Sequence, residues 1–206
     1  MKSFEHYFDY KSPYAYLAQQ GAFDLAEQTG AELRLIPYTL DIPAYLGSAR
    51  VDGDGQVLEQ SRNAHQWRRV KYAYMDCRRE ANRLGLTIRG PRKIFDSRLA
   101  HVAYLFAAAS GMTVQRQLHM QVYEKFWRRE LDIEDIDVMA AELESVGIDS
   151  HGFADYVDRE GYGALAAIQT QAEANGVFGV PSYRIGDQLY WGGERLERVR
   201  EHLEQD

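Results

Sequence analysis

The sequence predicts an α/β protein in which a strand–helix–strand unit and a hairpin–helix unit build one sheet, interrupted by a large all-helical insertion. Three observations predict it. Apolar residues alternate along SFEHYFD at the N-terminus and again along the short runs near the C-terminus. Between about Leu58 and Asn175 the apolar period is that of a helix, roughly 3.6 residues. Glycines punctuate both regimes.

The first strand, with Phe4, His6 and Phe8 on one face, runs into Ser12-Pro13 and then a helix to about Thr29. That helix carries Tyr14, Leu17, Gly21 and Leu25 at helical spacing, and Gly30 stops it. Glu32 to Tyr38 reads as a second strand, so the unit is a right-handed βαβ crossover with parallel strands. Gly53-Asp54-Gly55 marks a loop. Helical segments follow, broken at Gly85, Gly90-Pro91, Gly111, Gly147 and Gly161, with no internal repeat. Ser182–Ile185 and Gln188–Trp191 flank a Gly186-Asp187 turn as a hairpin, and a last helix begins near Glu194. A sheet built from βαβ and ββα halves is the layout of a thioredoxin-like fold. The expected division is residues 1–45 with 177–206 for the sheet domain, and 46–176 for the inserted helical domain.

Composition narrows the function. At 206 residues, with 45% hydrophobic and 27% charged residues, the chain suits a globular protein. No apolar run approaches the roughly 18 residues of a membrane span, and MKSFEHYFDYK lacks the apolar core of a secretory signal. A cytoplasmic protein is expected. A single cysteine, Cys77, excludes an internal disulfide and a paired-cysteine redox site, and reads as a small helix residue. The six histidines show no metal-type spacing, so no metal is expected.

The formal charge of −7 argues against a nucleic-acid partner. Yet residues 62–93 hold ten Arg or Lys against Asp76 and Glu80, a local balance of +8 that leaves −15 for the rest. The run is either a solvated helix face or a positive wall that attracts small anionic ligands, carboxylates above all.

Three short stretches can carry chemistry. Ser12 with Pro13 is an N-cap with proline at the first helical position, and the same helix terminus favours a bound anion. Its hydroxyl donates as well as accepts, so both roles fit. In FGVPSY, Val180-Pro181 is either a strand-opening proline or a cis peptide that offers backbone to a ligand. In YWGGERL, Gly192-Gly193 permits a sharp turn and Glu194 starts a helix; the alternative is a loop whose N–H groups take a carboxylate while Glu194 takes an ammonium.

Taken together, FDYKSPYAYLA and GVFGVPSYRIGDQLYWGGERL resemble the 2-hydroxychromene-2-carboxylate isomerase family. That family, with the kappa-class glutathione transferases, belongs to the thioredoxin-like group resembling DsbA. The resemblance spans nearly the whole chain. The telling combination is D-x-x-S-P near the start with F-G-V-P and, ten residues after Pro181, W-G-x-D/E-R. It implies glutathione as cofactor, Ser12 at the glutathione sulfur, Val180 before a cis Pro181 pairing its main chain with the cysteinyl part, and Trp191, Gly192, Gly193 and Glu194 around the γ-glutamyl group. It also implies Asn63 on the substrate side and a homodimer. From the charge run, the basic helix around Arg68, Arg69 and Lys71 is expected to hold a substrate carboxylate. The chain departs from the family in carrying Gly193-Glu194 where Asn-Asp or Ser-Asp is usual, and LDIPAYLGSARVDGDGQ has no match for the family's substrate-side lysine. A small conjugated, carboxylate-bearing molecule of aromatic degradation is the implied substrate. Glutathione transfer to an electrophile is the rival enzyme reading; a non-catalytic thioredoxin-like binding or chaperone module is the rival of another class.

Overall fold

The computed structural model describes residues 2–205. Elements follow in the order β1 (Ser3–Phe8), α1 (Pro13–Thr29), β2 (Glu32–Pro37), α2 (Ile42–Leu46), β3 (Ala49–Val51), β4 (Val57–Gln60), α3 (Ala64–Arg83), α4 (Arg98–Phe106), α5 (Met112–Trp127), α6 (Ile136–Ser145), α7 (Phe153–Tyr156), α8 (Tyr162–Ala174), β5 (Ser182–Ile185), β6 (Gln188–Trp191) and α9 (Leu196–Gln205). Short turns of 3-10 helix lie at Ala107–Ser110 and Gly193–Arg195, and a π-helical segment at Val157–Gly161. The chain divides into two compact units, Met1–Leu40 with Tyr162–Asp206, and Asp41–Gly161.

In the first unit, the four strands run in the order β2-β1-β5-β6. β1 pairs with β2 in parallel, Ser3 to Phe8 against Glu32 to Pro37, as a right-handed crossover through α1 requires. β5 lies antiparallel on the other side of β1, with Glu5 opposite Arg184, His6 opposite Tyr183 and Tyr7 opposite Ser182. The sheet therefore joins segments nearly 180 residues apart in sequence. Its core gathers Phe4 from β1, Ala22 and Leu25 from α1, Tyr183 and Ile185 from β5, and Val199 and Leu203 from α9. Each fully buried side chain of this size contributes roughly 1.5–3 kcal/mol by leaving water.

The buried stripe of α1 differs from the expected one. Ala15, Tyr16, Ala18, Gln19, Ala22, Phe23 and Leu25 are buried, while Tyr14 is exposed. A helix that packs on the sheet and also on α9 is covered along more than one side, so its small residues matter as much as its large ones. At Gly21 a Cβ would stand 2.8 Å from Leu196 Cδ1, which explains glycine where α1 and α9 approach. The helix Tyr162–Ala174 groups with the sheet: Gln169 Oε1 accepts the Thr39 N–H at 2.9 Å.

The second unit is helical with one exception. β3 and β4 form an antiparallel hairpin, so Leu58–Gln60, which the helical period included, are strand. The Asp52 carboxylate closes its turn by accepting N–H bonds from Asp54 and Gln56, both at 2.9 Å, a local Asx-type bond that outcompetes helix there. α4 is buried along nearly its whole length, from Leu99 to Tyr104, and α5 contributes Leu118, Val122, Tyr123, Phe126 and Trp127.

Candidate functional site

The turn between β1 and α1 is built around a carboxylate. Asp9 is fully buried; its Oδ1 accepts the Lys11 N–H at 3.1 Å and its Oδ2 the Leu40 N–H at 2.8 Å. The Lys11 ammonium, on a side chain only 6% exposed, lies 3.5 Å from Asp9 Oδ2. The Ser12 N–H closes the turn on the Asp9 carbonyl at 2.9 Å. This brings Ser12 to the N-cap of α1 in extended backbone, with Pro13 next in the helix. Ser12 Oγ accepts the Ala15 N–H at 3.3 Å, which leaves its own proton uncommitted to that bond. Ser12 is 4% exposed, at the end of α1 that carries the helix's partial positive charge.

Antiparallel pairing sets the next stretch. Because Tyr7 faces Ser182, the chain leaving β1 toward Asp9 and Ser12 and the chain entering β5 through Val180 and Pro181 occupy the same end of the sheet. The Val180–Pro181 peptide bond is cis. The neighbours of Val180 are held: the Ser182 hydroxyl donates to the Gly179 carbonyl at 2.6 Å, and the Pro181 carbonyl accepts the Gly192 N–H at 2.9 Å. Val180 itself has no intramolecular backbone hydrogen bond among the described residues.

That Pro181–Gly192 bond clasps the third stretch to the second. Gly192 has φ +111°, and a Cβ there would fall within 2.8 Å of the Glu194 carboxylate. A Cβ on Gly193 would touch Ala18 of α1 at 3.4 Å and Pro181 at 3.9 Å. So α1, Val180-Pro181 and Gly192–Glu194 share one locus. Trp191 covers Gly179 and packs on Phe178, ring centroids 5.1 Å apart, and both aromatics are more than half exposed. Beneath, Tyr183 is pushed up by burial first and by the Glu194 carboxylate second.

The remaining sequence-predicted residues lie in the second unit. Asn63 caps α3: its Oδ1 accepts the Gln66 N–H and Gln66 Oε1 accepts the Asn63 N–H, both at 2.9 Å. Arg68, Arg69 and Lys71 are exposed around the buried Val70. At about 100° per residue, Arg69 and Lys71 leave the helix on opposite sides of Val70, and Arg68, three residues before Lys71, is its neighbour on the exposed face. Cys77 is buried and unpaired with any other cysteine. No group of three or more potential metal ligands occurs among the described residues, and no helix there is long and apolar enough to cross a membrane.

Sequence reasoning missed the Asp9–Lys11 pair. Its signal was an acid and a base two residues apart inside the apolar run HYFDYKSPY, a place where an unpaired charge would be very costly.

The description DSBA-like thioredoxin domain matches residues 4–204. The chain belongs to that family. Within that framework, a 2-hydroxychromene-2-carboxylate isomerase of Sphingobium xenophagum is 29% identical over 203 residues, covering 98% of both chains. A solved 2-hydroxychromene-2-carboxylate isomerase superposes with a TM-score of 0.73 at 22% identity, over 98% of this chain and 95% of that one. The cytosolic disulfide reductase DsbM of Pseudomonas aeruginosa, solved with GSH, superposes with a TM-score of 0.64 at 17% identity, over 98% of each chain.

Proposed function

We propose that this chain is a glutathione-dependent isomerase of the 2-hydroxychromene-2-carboxylate type, acting on a small conjugated molecule that bears a carboxylate. The near full-length relatives of that name support the reaction class, and a neighbour solved with GSH supports the cofactor. The observation that carries the reading is the Ser12 hydroxyl, which caps α1 through a lone pair and keeps its proton to donate.

The residues present fit glutathione. Ser12 offers an O–H donor at a helix N-terminus, where a sulfur anion is favoured. Val180 offers an N–H and a carbonyl that no other backbone group engages, the pairing that an extended peptide seeks at a sheet end. The turn after Gly192 presents backbone to a carboxylate, and the exposed Glu194 side chain accepts an ammonium. When bound, glutathione supplies a thiolate that adds reversibly to a conjugated double bond, permits rotation and leaves again. Ser12 holds the sulfur and lowers its affinity for a proton. The buried Asp9–Lys11 pair fixes the turn that carries Ser12. Asn63, Arg68, Arg69 and Lys71 form the substrate side, where the basic groups hold the substrate carboxylate. A homodimer in the cytoplasm completes the reading.

Titration calorimetry with glutathione, followed by product analysis on a chromene carboxylate, tests it. Saturable binding with glutathione returned unchanged after turnover is expected. Absence of binding contradicts the reading; a stable glutathione conjugate as product replaces isomerase with transferase.

A further inference from the structure

Three of the ten basic residues of the positive run are paired where they stand, Arg79 with Asp76, Arg83 with Glu80 and Lys93 with Glu134, as is Arg128, farther along, with Glu124. Among those that are not, four arginines come together. Arg78, Arg89, Arg92 and Arg129 have no carboxylate in ion-pair range among the described residues, and all four are exposed.

They are brought to one place by three separate elements of the second unit. Arg78 comes from α3 and lies over the Tyr74 ring, 5.8 Å from its centroid. Arg89 and Arg92 flank Gly90-Pro91, and a Cβ on Gly90 would meet Arg78 Nη2 and the Tyr74 ring at 3.4 Å. Arg129 follows α5, and its guanidinium donates through both Nε, at 2.8 Å, and Nη2 to the Gly90 carbonyl. The loop is tied to the same helix end by the Arg89 N–H on the Trp127 carbonyl at 2.8 Å and by Arg89 Nη1 on the Arg128 carbonyl at 3.4 Å. Arg129 adopts φ +61°, and no other non-glycine among the described residues has positive φ. An L side chain there is strained. The strain serves to bring a fourth cation against the other three. Arg129 is lowered by burial first, then by Arg92, Arg78 and Arg89.

Like charges gathered by strained backbone, without counter-ions, in a protein of net charge −7, call for an anion. We propose that Arg78, Arg89, Arg92 and Arg129 form a binding site for a small molecule bearing linked phosphate groups. A carboxylate is planar and is served by one guanidinium fork, whereas a pair of phosphates presents acceptor oxygens in many directions and several charges. Guanidinium groups arriving from three elements match the second. These four arginines are not among the residues assigned to glutathione or to the substrate carboxylate.

The test is calorimetric titration of the full chain with inorganic pyrophosphate at low and high salt, with citrate as the polycarboxylate comparison. One saturable pyrophosphate site, weakened by salt and stronger than for citrate, is expected. The double variant Arg78→Gln/Arg129→Gln weakens it by at least tenfold, roughly the value of one charge-assisted bond, and Arg79→Gln, whose arginine is paired with Asp76, leaves it unchanged. Because the Arg129 and Arg89 side chains also anchor the loop, Arg92→Gln is measured in parallel and is expected to weaken binding without lowering Tm. Lack of saturable pyrophosphate binding, or binding undiminished in both variants, overturns the site. Citrate binding as tight as pyrophosphate overturns the phosphate assignment.

Discussion

The Lys11 ammonium and the Asp9 carboxylate lie 3.5 Å apart, both buried, in the turn that delivers Ser12 to the head of α1. The pair sits where a small shift of backbone would move the serine. Asp9 does more of the work, because it also accepts two backbone N–H bonds, from Lys11 and Leu40. Asp9→Ala orphans a buried ammonium and two N–H groups, and is expected to destabilise by about 3–5 kcal/mol. Lys11→Met leaves the carboxylate its backbone donors and is expected to lose clearly less. Urea denaturation of both variants ranks them; equal losses would show that the ammonium, not the carboxylate, organises the turn.

Gly192 is required for its backbone more than for its missing side chain. A Cβ there would meet only the Glu194 carboxylate, the movable end of an exposed side chain, whereas φ +111° is a region that alanine resists. Gly192→Ala is expected to destabilise by about 1 kcal/mol or somewhat more, and Gly192→Ala/Glu194→Ala to recover little of it. Thermal unfolding decides: full recovery in the double variant would place the whole effect in the clash. Both variants are expected to weaken glutathione binding, because the Gly192 N–H also clasps the Pro181 carbonyl.

His6 is buried beneath this site, stacked on Tyr183 with ring centroids 4.9 Å apart, and neither ring nitrogen has a hydrogen-bond partner among the described residues. Burial lowers its pKa from 6.5 to about 3. Between those values the unfolded chain binds the proton that the folded chain refuses, so stability rises with pH. The contribution is complete above about pH 6.5 and is lost as pH falls, with a slope of up to about 1.4 kcal/mol per unit. His6→Phe keeps the stacked ring and removes the titration. Urea midpoints measured between about pH 4 and 7 are expected to slope less in the variant; parallel slopes would place the acid sensitivity elsewhere.

The observed cap and the proposed substrate contact of Asn63 separate experimentally. As the cap of α3 it accounts for about 1 kcal/mol of stability, and Asn63→Ala is expected to lose that much. In the proposed substrate-side role it would also affect turnover. Asn63→Asp retains a capping oxygen, so it is expected to keep stability while raising KM. Unchanged kinetics in Asn63→Asp would confine Asn63 to capping.

Much of the sheet unit was legible because its signals are local. Period two in SFEHYF, a serine-proline helix start, a glycine stop at Gly30 and a two-residue Gly186-Asp187 turn each specify their element without help from distant residues. Where a signal depended on a partner, the reading failed. The β3–β4 hairpin is short and exposed, and its four-residue run Val57–Gln60 also fits a helix. The buried face of α1 is set by α9, which the helix's own spacing does not reveal. Of the candidate site, Ser12, Val180-Pro181 and Gly192–Glu194 stood out through residue type, since serine before proline, a pre-strand proline and paired glycines are each conformationally selective. Lys11 did not, because a lysine reads as surface until its carboxylate is seen beside it. Nor did Arg129, which joins Arg78, Arg89 and Arg92 only through a tertiary bond to Gly90.

The measurement that tests the account most directly is the thiol pKa of bound glutathione, followed by thiolate absorbance against pH for the wild-type chain and Ser12→Ala. The single cysteine, Cys77, is buried, so the ligand thiol dominates the signal. The account predicts a fall of about two units from the free value near 8.5 in the wild type, worth roughly 2.7 kcal/mol, most of it lost in Ser12→Ala. A bound thiol that titrates at its free value, or a shift that survives Ser12→Ala intact, contradicts it.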